Sequence, residues 1–426
     1  RMTDCADSIM INSMIASGRN DTNGISSIPD PPCSADMLRA VRGEPCGNIP
    51  WAPRMDLWYI ALRERGELPE GLENADIVDI AEHFGFGCHA VRADYTRKRP
   101  PEQRMFRSLG FENHPDFPFR LEIEGLPCDF TVDGEETILR VETSAGVITD
   151  RVRYSCDMRK RGISQPFKLE YPVEELEDLD RVAELFDHLR IVPDPSGYRA
   201  FHDRVGETGL AVAQGCNVAS PIHLLLHDLM PMDRFFFWYY DHYDTLKRFE
   251  ERLTPFFDNL LEVVSGCSAE TVYWGANYDR DLTWPLFFER DIAPWHNKTR
   301  ERLHRSGKKL VCHPDGESSG LFDSYRLGRF DVAESVCAAP MTELDLLSQR
   351  RGFGDEVAIW GGIPSVLLLP DSTGTAAFEA HLSKLESEME ELAPGRSRLI
   401  LGVSDNVPPD CDLGRLEAVG EWAAGL

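Results

Sequence analysis

The chain lacks any apolar run approaching the roughly 20 residues that a membrane-spanning helix needs, and no basic segment leading into an apolar core opens it. No membrane span and no secretory leader are therefore expected. Clustered basic charge is also scarce: 45 Lys and Arg stand against 72 Asp and Glu, a net charge of −27. That balance speaks against a nucleic-acid groove or an anionic membrane surface as partner, since both want grouped cations. Part of the acid lies in Glu174-Glu175-Leu176-Glu177-Asp178-Leu179-Asp180, where the first turn of an expected helix favours it through the helix dipole. The eleven cysteines are odd in number and form no CxxC pair, so a reduced, cytoplasmic protein is expected. The triplets at Asn20 and Asn297 that match a glycosylation acceptor are then chance. A phosphate-cradling Gly-rich loop with Lys, a GxSxG elbow and an HExxH helix are all missing, and the chemistries they carry go with them.

What remains is a globular composition, 42% hydrophobic and 27% charged. Residues 1–34, rich in Ser, Asn, Asp and Pro, read as an N-terminal extension. From 35 to 426 short apolar runs alternate with amphipathic ones. Strands are expected at Ile49–Arg54, Cys88–Arg92, Leu210–Gln214, Thr271–Ala276, Lys309–His313, Phe330–Glu334, Val357–Gly361 and Leu399–Val403. Helices are expected at Leu57–Arg65, Arg234–Val264, Leu286–Arg305, Met341–Arg351, Ala376–Leu392 and Leu413–Ala424. Eight strands alternating with helices give an α/β class and a (β/α)8 TIM barrel. A doubly wound open sheet is the alternative, but no Gly-rich fingerprint follows the first strand. One segment breaks the alternation. Residues 119–155 read as a β-meander inserted between the second and third barrel strands, with Asp133-Gly134 as one of its turns. It is open to two roles: covering the site, or forming a contact between two copies in a homodimer.

In such barrels chemistry comes from the C-terminal ends of several strands. Val311-Cys312-His313-Pro314-Asp315-Gly316 is the most informative of these ends here. Side chains on a strand alternate, so His313 and Asp315 point the same way, and the glycine permits a sharp turn beside them. The pair can bind a metal, share a proton or hold a polar ligand; equally, Asp315 can cap the next helix. The other ends offer Arg54, Asp56 and Tyr59 after the first strand and Asp94 after the second. Asn277 and Tyr278 follow the fourth, Glu334 and Cys337 belong to the sixth, Gly361-Gly362 to the seventh, and Asp405 with Asn406 to the eighth. Each has a plain structural alternative as well, such as an ion pair for Arg54 with Asp56 or a helix cap for Asn277.

Taken together these ends resemble the uroporphyrinogen decarboxylase superfamily over about residues 36–424. The resemblance is carried by Arg42-Gly43-Glu44-Pro45 running into Ile49-Pro50-Trp51-Ala52-Pro53-Arg54, by Lys308 through His313, and by Asp331-Val332-Ala333-Glu334-Ser335. It continues through Trp360-Gly361-Gly362-Ile363-Pro364 to Leu401-Gly402-Val403-Ser404-Asp405-Asn406-Val407-Pro408-Pro409. It implies the same barrel, with its site at the C-terminal mouth. True decarboxylases of the superfamily need no cofactor and are implied to grip carboxylates with two N-terminal arginines. Here only Arg54 remains, with Asp56 nearby, while Asp94 matches the catalytic aspartate.

The second branch moves methyl groups between a corrinoid protein and a small acceptor. Pro53-Arg54-Met55-Asp56-Leu57-Trp58-Tyr59 and His313-Pro314-Asp315-Gly316 resemble its O-demethylase-type members, which implies a methylcorrinoid on a partner protein as donor and tetrahydrofolate as acceptor. Thiol-methylating members bind zinc through His-x-Cys and a distant Cys; Asp315 and Gly361-Gly362 stand at those cysteine positions here. Soft zinc ligands are therefore missing, and a harder metal on His313, Asp315, Glu334 and Cys337 is the alternative. Asp315, Asn277 and Asn406 are expected to hold the acceptor, with Arg54, Asp56, Tyr59, Tyr278 and Asp405 around it, and His313 to move a proton. The runner-up is decarboxylation of a porphyrinogen or another polycarboxylate through Asp94 and Arg54. A barrel that binds without catalysis is the third reading.

Overall fold

The computed structural model describes residues 34–392 and 396–426; the N-terminal extension, but for its last residue, and the Asn20 triplet lie outside them. The first half of the chain carries the small sheets. β1 (Phe119–Ile123) is followed by β2 (Cys128–Asp133), β3 (Glu136–Thr143), β4 (Gly146–Arg153), β5 (Phe167–Glu170) and β6 (Leu189–Pro193). β2 to β5 form a four-stranded antiparallel sheet in sequence order, whereas β1 pairs antiparallel with β6, Phe119 opposite Pro193 and Ile123 opposite Leu189. The expected meander thus loses its first run and gains β5. Alternation in β1 buries Phe119 and Leu121, but an alternating run does not name its partner.

The second half builds one six-stranded parallel sheet from β7 (Ala213–Cys216), β8 (Thr271–Ala276), β9 (Lys309–His313), β10 (Val332–Val336), β11 (Ala358–Pro364) and β12 (Leu399–Ser404), each strand beside the next. β7 and β10 sit two or three residues later than the sequence suggests. Every residue of β8, β10, β11 and β12 is buried, as expected for strands covered on both faces. The crossovers are helical. The longest, Tyr243–Ser265, buries Leu246, Phe249, Leu253, Phe256, Phe257, Leu260 and Val264, a stripe at three- and four-residue spacing.

The two earlier strand candidates meet the two edges of this sheet by single parallel bridges, Trp51 with Leu401 and Cys88 with Gly209. Backbone hydrogen bonds support each bridge: Ala52 N to Leu401 O at 2.9 Å, Cys88 N to Thr208 O at 2.7 Å and Val212 N to Ala90 O at 3.0 Å. The two segments also meet each other, Gly87 N donating to Trp51 O at 2.9 Å. Inside this arrangement Ala52, Val91, Val212, Tyr273, Val311, Val332, Ala358, Trp360 and Ile400 form one cluster with Met37, Ala40 and Val41 of the helix Ser34–Arg42. Most of these residues belong to the first halves of their strands. The apolar interior therefore fills the end where the strands start, and polar groups are left at the end where they finish.

Candidate functional site

Strand alternation decides which side chains reach that end. On β9, Val311 belongs to the inner cluster and Cys312 to the outer one, so His313 returns to the inside. The same count on β10 puts Val332 and Glu334 inside and Ala333 outside. His313 Nδ1 lies 2.5 Å from Glu334 Oε2, and Glu334 Oε1 lies 3.0 Å from His89 Nε2. Burial disfavours the Glu334 carboxylate, but the two imidazoles outweigh it and hold the group well below the usual carboxylate range. The relationship is reciprocal: burial would lower His313, and Glu334 followed by Asp405 raises it above the ordinary imidazole value.

With Nδ1 committed to Glu334, His313 turns Nε2 toward Asp405 Oδ1 at 3.6 Å and Asp315 Oδ2 at 3.9 Å. One ligand atom from each of His313, Asp315 and Asp405 lies within 4.8 Å of the others. Asp315 is raised by burial first, with Asp405 adding to it, against the pull of His313. Cys337 Sγ donates to Asp315 Oδ1 at 3.1 Å, and burial pushes this thiol above its ordinary range, so it stands as a donor and not as a thiolate. Of the four metal ligands expected from sequence, His313 and Asp315 come together, Glu334 has both oxygens taken by histidines, and Asp405 stands in its place.

Arg54 is fully engaged. Its Nε and Nη2 meet Asp56 Oδ1 and Oδ2 at 2.8 and 3.1 Å, while Nη1 meets the Asp405 oxygens at 3.1 and 3.3 Å. Asn406 Nδ2 donates to Asp56 Oδ1 at 2.6 Å, which places Asn406 one hydrogen bond behind the site. Nε2 of His313 thus faces two carboxylates, Asp315 and Asp405, of which Asp405 also holds the Arg54 guanidinium.

These groups open into a cavity of about 1190 Å³, counting its open mouth. Arg54, Asp56, His313, Asp315, Asp405 and Asn277 line it, joined by His227, Asp228, Arg92 and Asn217. Asn277, at φ 59°, brings Nδ2 to 2.6 Å from His227 Nε2, and His227 Nδ1 lies 2.8 Å from Asp228 Oδ2. In the neutral ring Nδ1–H donates to Asp228 and Nε2 accepts from the amide; protonation requires the amide to turn and present its oxygen. Burial lowers His227, but Asp228 more than compensates and raises it.

Of the expected residues, Asn406, Glu334 and Cys337 stand behind the lining, bonded to residues that form it, and Asp94, Tyr278 and Tyr59 are engaged elsewhere. Asp94 is buried and accepts from the backbone N and Oγ1 of Thr96 at 3.0 and 2.5 Å, with Arg97 Nε at 2.8 Å. Tyr278 is a core residue, its hydroxyl 2.6 Å from His296 Nε2 and its ring against Phe288. Tyr59 is buried under the guanidinium of Arg63. Conversely, sequence reading does not single out His89, the His227–Asp228 pair or Arg92. His227 sits in a π-helical turn, Leu225–Leu229, a distortion common at functional sites, but strand-end counting passes over it.

No family model and no curated protein matches the chain. Among solved structures it is similar to a methyltransferase from Methanosarcina mazei, with a TM-score of 0.52 and 15% identity over 92% of this chain and 97% of that one. At this identity the likeness is one of fold, and it runs through most of the length of both chains.

Proposed function

We propose that this protein is a methyltransferase that moves a methyl group between a corrinoid protein and a small acceptor such as tetrahydrofolate. The same reading takes the mixed α/β architecture as a (β/α)8 barrel, with residues 49–54 and 88–92 as two short strands between β12 and β7. Support for that closure comes from the hydrogen bonds joining those segments to each other and to both sheet edges. The observation that carries the function is His313, oriented by Glu334 and presenting Nε2 beside Asp315 and Asp405 in an open polar cavity. The likeness in fold to a methyltransferase over 92% of this chain agrees with it.

The methylcorrinoid of the partner protein would supply an electrophilic methyl group and keep the electron pair of the broken cobalt–carbon bond. The chain's own work is to hold the acceptor in line and to manage one proton, since an acceptor N–H that gains a methyl must lose its hydrogen. Asp315 and Asn277 offer an acceptor and a donor in the lining of the cavity, and Nε2 of His313 is presented to it as a base for such a proton. His227, backed by Asp228, is a second base within hydrogen-bond reach of Asn277.

A metal fits the residues present. One imidazole with two carboxylates, and a second-shell carboxylate on the other ring nitrogen, is the donor set of a hard to borderline divalent cation. His313, Asp315 and Asp405 would hold it; Nε2 of His313 would then be a ligand and no longer the proton acceptor, and the cation would supply Lewis acidity toward the acceptor instead. Decarboxylation of a polycarboxylate is less well supported, because Asp94 lies away from the cavity and Arg54 is spent on Asp56 and Asp405. Incubating the protein with methylcobalamin and tetrahydrofolate, and following the cobalamin spectrum with chromatography of the folate, tests the proposal. Methyltetrahydrofolate formed in step with demethylation is expected. No transfer, together with coproporphyrin formed from uroporphyrinogen, overturns it.

A further inference from the structure

The cavity has a second group of lining residues that the reaction above does not use. It comprises Arg99, Arg104 and Arg107 from the loop after the second edge segment and Tyr154 just beyond β4. In a chain of net charge −27 two of these three guanidinium groups share one carboxylate, Glu112, at 2.9 Å from Arg99 Nη1 and 3.9 Å from Arg107 Nη1. Arg107 Nη2 also donates to Ser164 O at 2.5 Å. Arg104 is different. Among the described residues it has no ion pair, its Nε is buried without a hydrogen-bond partner, and its charge lies 5.8 Å from the centre of the Tyr154 ring. Burial, then the like charges of Arg99 and Arg107, pull it below the usual guanidinium range. Two uncompensated cations facing a cavity are costly unless an anion completes them.

We infer that Arg104, with Arg107 and Arg99 beside it, forms an anion subsite that grips a carboxylate or phosphate tail of the small substrate. The planar fork of arginine suits either group by paired hydrogen bonds. The inserted sheet takes part through Tyr154, which gives it a place in the substrate site. The inference rests on the cavity being the substrate site proposed above, and not on methyl being the group transferred.

Equilibrium binding tests it without turnover. p-Aminobenzoylglutamate, its dimethyl ester and inorganic phosphate are titrated into the full chain by calorimetry at fixed ionic strength. The dicarboxylate or phosphate should bind, the diester should not, and Arg104→Gln should weaken the anion at least about tenfold, as expected for losing one charged hydrogen-bonding group. Arg104→Lys should recover part of the loss, and near-native melting temperatures should establish that both variants fold. Preference between dicarboxylate and phosphate identifies the tail. Failure of both anions to bind the wild type, or equal binding by the diester, or undiminished binding by a folded Arg104→Gln, overturns the inference. Methyl transfer is read in a separate assay, so either idea can fail alone.

Discussion

Glu334 holds His313 from behind, Oε2 to Nδ1 at 2.5 Å, and its other oxygen reaches His89 at 3.0 Å. The carboxylate therefore fixes the ring so that only Nε2 faces the cavity. Glu334→Gln keeps the volume and can still bond one imidazole, but it removes the charge that orients His313. The expected result is a fall in kcat of about ten- to a hundredfold with KM nearly unchanged. A Glu334→Gln enzyme with wild-type kcat would remove Glu334 from the account.

Cys337 donates to Asp315 and its thiol is held in the protonated form. Cys337→Ser preserves a donor at that position, so activity should change by less than about threefold, and bound metal measured by mass spectrometry should not change. A loss of both would make the sulfur a ligand after all.

Glu112 is buried, yet Arg99 and Arg107 outweigh that burial and hold its carboxyl down at about 2. A folded-state value below the ordinary 4.5 gives stability that is fully present above 4.5 and is lost as pH falls toward 2. The shift corresponds to something on the order of 3 kcal/mol at neutral pH. Glu112→Gln should therefore be less stable than wild type at pH 7 in urea melts, and the gap should narrow by about half by pH 3. A gap that stays constant with pH contradicts the ion-pair origin.

Gly361 lies at φ 139°, and a Cβ there would come within 2.6 Å of Val336 N across the β10–β11 pair. Both the backbone conformation and the lack of space oppose any side chain. Gly361→Ala should cost about 2 kcal/mol or more, read as a lower urea midpoint. An unchanged midpoint would mean that the two strands are not so closely apposed.

Period-two alternation on short apolar runs was enough to bring His313, Asp315, Glu334 and Asp405 to one end, because each sits at the finish of a parallel strand. Partnerships across the chain were not legible: His89 and Glu334 are 245 residues apart, and nothing local in either segment announces the other. His227 escaped because it sits in a π-helical turn past the end of β7. The arginine group in the cavity lining left a readable trace, Arg97-Lys98-Arg99 followed by Arg104 and Arg107, which an overall charge of −27 conceals. Asp94 and Tyr278 were drawn in by their position next to strand ends, but the backbone turns both into the core.

His313→Ala is the most direct test of the whole account. The variant should fold, since His313 ends a strand and faces the cavity, and circular dichroism with a melting curve checks this first. Methyl transfer from methylcobalamin to tetrahydrofolate is then measured for both proteins. The account predicts transfer by the wild type and a loss of at least about a hundredfold in the variant, the scale on which an acid–base group matters. A folded His313→Ala protein that transfers methyl at the wild-type rate would contradict it.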